Sequence, residues 1–181
     1  MVLDELLRVA HTGAVALYVG GAIIVTIALR RALEAIPPAQ AGIVGSRVGF
    51  YFTLISWLAL VAWGVTGYWL LQRGGWDDFG SPWTLFIRDD LLDSAWGWTL
   101  LLMVACWLVM VINGVFITFI LRPVLTRRLA PDEPVERVEE LQKGMAFAVR
   151  AVEALALINL ALAIVATVAG HRFFEDIYIY R

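Results

Sequence analysis

Four apolar stretches, near residues 9–29, 48–71, 95–121 and 147–170, constrain this chain more than anything else in it. Each is long enough to cross the hydrocarbon core of a bilayer, which takes roughly 20 mostly apolar residues as a helix. Inside lipid every backbone N–H and C=O must be bonded within the structure, so apolar runs of this length are read as helices. Short connections between consecutive spans favour an up-down-up-down four-helix bundle. The expected fold is therefore all-α and membrane-embedded, one domain over residues 1–181, with no internal repeat visible in the sequence. Composition agrees: 61% of residues are hydrophobic and 17% charged, against roughly 45–50% and about 25% in ordinary soluble domains.

The first stretch is read as a retained span. Its leading segment, MVLDELLR, sets Asp4 and Glu5 against a single Arg8, and no small-x-small cleavage site precedes a polar start. Orientation follows from the basic residues of the loops. Nine flank one side (Arg30, Arg31, Arg47, Arg122, Arg127, Arg128, Arg137, Lys143 and Arg150) and five the other (Arg8, Arg73, Arg88, Arg172 and Arg181). This bias predicts cytoplasmic 1–2 and 3–4 loops, both termini outside, and a bacterial inner membrane as the location.

The 1–2 loop, EAIPPAQAGIVGS, is expected to be broken by Pro37-Pro38 and Gly42. The 3–4 loop reads as a capped, charged helix from about Asp132 that leads into span four. Between spans two and three, Ser81-Pro82 is an N-cap followed by a first-turn proline. A short amphipathic segment follows, with Trp76, Trp83, Trp96 and Trp98 suited to the headgroup layer. It predicts a short interfacial helix on the outer surface; Asp77, Asp78, Asp89, Asp90 and Asp93 make it acidic.

The only two histidines, His11 and His171, fall at the outer ends of spans one and four, at similar depth. Two neutral imidazoles there could ligate a haem iron axially, or a copper ion; the alternative is that each simply bonds a carbonyl or headgroup. Below His11, helical periodicity puts Ala14, Tyr18, Gly21 and Ala22 on one small-residue face, open to a partner helix or a flat macrocycle. In span three Met103, Cys106, Met110 and Asn113 form one stripe. Its sulfur atoms would suit Cu(I), and equally serve as adaptable core packing. Polar groups in lipid call for partners. Depth counting pairs Asn113 with Glu153, with Arg150 close to Glu153 and Asn159 one to two turns outward. A proton path is the functional alternative.

Several classes are excluded by what is missing. A net charge of −2 and no aromatic-basic module argue against nucleic acid as a partner. The lone Cys106 leaves no CxxC motif and no intrachain disulfide. No GxSxG, HExxH, P-loop or dinucleotide fingerprint is present, and no catalytic residue is assigned.

His11-x6-Tyr18-Val19-Gly20-Gly21 resembles the first helix of the CopD-like superfamily of small membrane proteins, where a tryptophan is typical at the tyrosine position. Val65-Thr66-Gly67 and the run from Asn113 to Leu121-Arg122-Pro123 echo it further, so the resemblance covers the first three spans. It implies copper handling, as in the copper-resistance D proteins, or haem b, as in the HemJ-type relatives. In both the first-helix histidine, here His11, does the binding. The expected function is that of a membrane redox-metal protein. It would bind haem b, or copper, near the outer face through His11 and His171, beside Tyr18 and Gly21, and pass electrons or metal to a membrane or periplasmic partner. A cofactor-free accessory subunit of a larger membrane complex is the alternative.

Overall fold

The computed structural model describes residues 2–73, 92–93, 95–127 and 134–179. Helix α1 spans Val2–Ile23 and runs on through a π-helical stretch, Ile24–Leu29, to Arg30–Glu34. Helix α2 is Pro38–Arg73. Helix α3 is built as α1 is: Ala95–Phe116, a π stretch Ile117–Leu121, then Arg122–Leu125. Helix α4 is Val135–Ile179. No strand occurs among the described residues. Each helix contains a segment long and apolar enough to cross a membrane, so the chain is an integral membrane protein with lipid as its solvent. That solvent explains the outward-facing Leu17, Leu58, Ile112 and Leu157, because lipid tails are as apolar as leucine and nothing drives such side chains inward.

The helices extend past the expected spans because they continue beyond the apolar core. The 1–2 connection shrinks to Ala35–Pro37: Pro38 opens α2, where its missing N–H is no loss. The Pro37 carbonyl accepts from the Gln40 and Ala41 amides at 2.9 and 3.0 Å. Gly42 does not break the chain but lies inside α2, at a penalty of about 1 kcal/mol relative to alanine. The helix expected from about Asp132 begins at Val135 and is continuous with the fourth span; the Pro134 carbonyl takes the Arg137 and Val138 amides. Asp132 and the expected interfacial helix around Ser81-Pro82 and Trp83 lie outside the described residues.

Packing is closest between α1 and α2 and between α3 and α4, with α1–α4 and α2–α3 contacts completing the ring. The bundle is thus two helical hairpins side by side, and they are equivalent. A shift of 92 positions carries α1 onto α3 (11 to 103, 30 to 122), and 103 carries α2 onto α4 (60 to 163, 67 to 170). Most buried and exposed positions then coincide.

The central core contains both copies: Ala14, Tyr18, Leu60 and Trp63 from one hairpin, Cys106, Met110, Ala163 and Ala166 from the other. Contacts between hairpins exchange as a twofold axis along the bundle requires. Arg30 on α1 reaches Glu153 on α4 at 3.8 Å. The equivalent Arg122 on α3 lies over the Phe50 ring of α2, 4.8 Å from its centroid. No repeat was expected, because equivalent positions hold side chains of very different volume (Leu60 and Ala163, Trp63 and Ala166) and not similar ones.

Between the hairpins, α2 and α3 meet through tryptophan on glycine. Trp107 donates to the Leu60 carbonyl at 3.0 Å and Trp57 to the Thr118 hydroxyl at 3.1 Å. A Cβ on Gly64 would lie 2.5 Å from Trp107, and one on Gly114 3.4 Å from Trp57. Only glycine admits the Trp107 ring at position 64 without movement.

Candidate functional site

Polar side chains within the bundle collect at three levels of α1, marked by His11, Tyr18 and Arg30. At the first, His11 is half-buried and leans on α2. Its Nδ1 lies 3.0 Å from the Thr66 hydroxyl. The Thr66 hydroxyl is itself directed at the Ala62 carbonyl, 2.5 Å away. With its one hydrogen committed to that carbonyl, Thr66 Oγ1 is left as an acceptor for an Nδ1–H. The Trp63 carbonyl, 3.3 Å from the same hydroxyl, is a second acceptor for its hydrogen. This network favours the neutral tautomer whose Nε2 lone pair is free. Gly67 makes the approach possible, since a Cβ there would stand 3.1 Å from His11 Cε1. The Trp63 ring closes the inner side, edge-on to the imidazole with centroids 6.4 Å apart.

One level inward, Tyr18 is 5% exposed and Asn159 7% exposed. The Asn159 side chain hydrogen-bonds the Tyr18 hydroxyl and accepts from Asn113 Nδ2 at 2.8 Å. This triad ties α1, α4 and α3 together and satisfies groups that lipid could not. The pairing of Asn113 with Glu153 is not formed. Helix α4 runs to Ile179 and not to about 170, so the residue level with Asn113 is Asn159, six positions and about 9 Å farther along. Glu153 pairs instead with Arg30, which also meets Glu34 at 3.8 Å. Arg150 is exposed.

The small-residue face of α1 is as expected: Ala14, Tyr18 and Ala22 are buried, and Gly21 is where α2 comes close, a Cβ there standing 3.1 Å from Phe52. The sulfur stripe divides. Cys106 and Met110 sit in the central core. Met103 is half-buried beside Leu100 and Phe173, with Gly170 of α4 against its methyl group. His171 is exposed, one residue past Gly170, at the same end of the bundle as His11.

Reading the sequence marked Val65-Thr66-Gly67 only as part of a family resemblance and did not connect Thr66, Gly67 or Trp63 with His11. Their signal was the Thr66-Gly67 pair itself, a hydroxyl beside a missing side chain in an otherwise bulky apolar span. Among the described residues, no cluster of three or more His, Cys, Asp or Glu side chains is placed to hold a metal ion. Any centre here would have to draw on imidazole together with other donors. Compared with family models, with curated proteins and with solved structures, the chain matches none.

Proposed function

We propose that this chain is a membrane redox-metal protein of the bacterial inner membrane. It holds haem b, or alternatively copper, through His11 near the outer face and passes electrons or metal to a membrane or periplasmic partner. The observation that carries this reading is the fixing of the His11 ring by Thr66. Metal-binding histidines commonly donate their second ring N–H to an acceptor that sets tautomer and orientation. Here the hydroxyl of Thr66 has no other proton to offer, so it accepts from Nδ1 and leaves Nε2 as a neutral donor. In a lipid environment a neutral donor suits the site better than a carboxylate would.

Each neighbour has a stated part. Thr66 holds the ring, Gly67 admits it, and Trp63 seals it from the core. Haem b or copper, when bound, would supply one-electron chemistry that none of these side chains provides. The excess of basic residues in the 1–2 and 3–4 loops supports a cytoplasmic Arg30 end and an outer His11 end. Purified protein should show a Soret band or stoichiometric copper, and His11→Ala should lose it. A purified wild type with neither would leave the accessory-subunit reading in its place. Thr66→Val keeps shape and removes the acceptor; it should weaken the centre by about 10–100-fold, as loss of such a support does elsewhere.

A further inference from the structure

Arg30 and Arg31 are the first charges after the apolar part of α1, and both line a cleft. We propose that this cleft binds the headgroup of an anionic phospholipid in the leaflet nearest the 1–2 connection, with both guanidiniums on its phosphate. The site is independent of any metal at His11.

Three observations carry it. The first is the cleft itself, an open space of about 530 Å³ lined by Thr26, Ile27, Arg30, Arg31 and Glu34. Its lining is graded along α1: Thr26 and Ile27 belong to the apolar span, and the charged residues follow one turn later. A phospholipid has the same order, from acyl chain to headgroup. Thr26 commits its proton to the Ala22 carbonyl at 2.6 Å, so the arginines are the donors of the cleft.

The second is the state of those arginines. Arg30 stands 3.8 Å from Glu34 and 3.8 Å from Glu153, near enough to pair in charge but beyond hydrogen-bond length. Arg31 is exposed, and among the described residues it has neither an ion pair nor a hydrogen bond. With Glu34 counted, the lining carries one net positive charge, which one phosphodiester neutralises. A guanidinium is weakly hydrated and meets phosphate oxygens in a two-pronged geometry. Basic pockets at the ends of membrane helices recognise anionic headgroups in this way.

The third is the equivalent end of the second hairpin, where the pair of cations is missing. The shift of 92 takes Thr26 to Thr118, Arg30 to Arg122, Arg31 to Pro123 and Glu34 to Thr126. There Thr118 accepts from Trp57, and Arg122 lies over the Phe50 ring. That half of the bundle is built without a second cation, so packing does not demand Arg31.

The test is native mass spectrometry of the full chain in detergent, titrated with phosphatidylglycerol or with phosphatidylcholine. The proteins are wild type, Arg31→Gln, Arg30→Gln/Arg31→Gln, Glu34→Gln and Arg47→Gln. Arg47 stands at the same depth on α2, between Gly45, which meets Leu33, and Phe52, which meets Gly21, but does not line the cleft. It controls for general loss of charge. Wild type should bind phosphatidylglycerol at least about fivefold more tightly than phosphatidylcholine, the worth of one interfacial arginine. Arg31→Gln should weaken phosphatidylglycerol by about fivefold, and the double variant should lose the preference altogether. Glu34→Gln should strengthen it, and Arg47→Gln should match wild type. An excess of inorganic phosphate should leave the lipid in place; displacement would assign the cleft to a soluble anion and overturn the lipid. An Arg31→Gln protein that keeps the wild-type preference, or an Arg47→Gln protein that loses as much, overturns the proposal. Neither result touches the spectrum that tests His11.

Discussion

The two hairpins share one backbone plan and differ in chemistry. Both carry a π stretch at nearly the same place in the first helix, a similar sequence of buried and exposed positions, and a glycine that receives the side chain one turn outside the core. Yet the first hairpin puts His11, Tyr18 and Thr66 where the second puts Met103, Met110 and Ala169. Large aromatic and aliphatic side chains of one half, Trp63 and Leu60, share the central core with alanines at the equivalent positions of the other, Ala166 and Ala163. A bundle of two equivalent halves can thus be specified without sequence identity: close packing asks only that the volumes sharing the core fill it. The difference also separates scaffold from site. What is shared between halves builds the bundle, and what differs includes the polar groups on which the proposed site rests.

Substitutions at equivalent positions turn this into measurements, the largest effect first. Asn159 and Ser56 are equivalent, but Asn159 serves Tyr18 and Asn113, whereas the buried Ser56 hydroxyl has no partner. Asn159→Ala should destabilise the protein by about 1–3 kcal/mol for each group it orphans, and Ser56→Ala should be neutral or slightly stabilising. Thermal unfolding in detergent decides it, and equal losses would break the comparison. Gly67 and Gly170 come next. An added methyl at 67 meets the imidazole, which is held by Thr66, and should cost about 1–3 kcal/mol through overpacking. At 170 it meets the end of a flexible methionine, and Gly170→Ala should lose less than about 1 kcal/mol. Smallest is the pair at the other end. Glu153→Gln removes a half-exposed ion pair with Arg30 and should cost at most about 1 kcal/mol, fading as salt is raised. Phe50→Leu at the equivalent contact should show little of that salt dependence, since the whole ring packing, not a counter-charge, is removed.

The four spans, the order of the helices and the inward face of α1 were legible in the sequence because lipid imposes length and apolarity directly. The pairing of polar groups was not. Asn113 finds Asn159 and not Glu153 because register depends on how far α4 runs past its apolar part, which hydropathy does not mark. The twofold relation was hidden for the reason given above: Tyr18 and Met110 do the same packing without resembling each other. His11 could be singled out from its position and from the Tyr18-Val19-Gly20-Gly21 run, but its tautomer depends on Thr66, which reaches it from 55 residues away.

The most direct test of the account is a reduced-minus-oxidised spectrum of the purified full chain, with copper measured on the same sample, for wild type and His11→Ala. The account predicts a haem signature or stoichiometric copper in the wild type, lost in His11→Ala although that variant remains folded. A wild-type protein with neither, or a His11→Ala protein that keeps the centre unchanged, would contradict it.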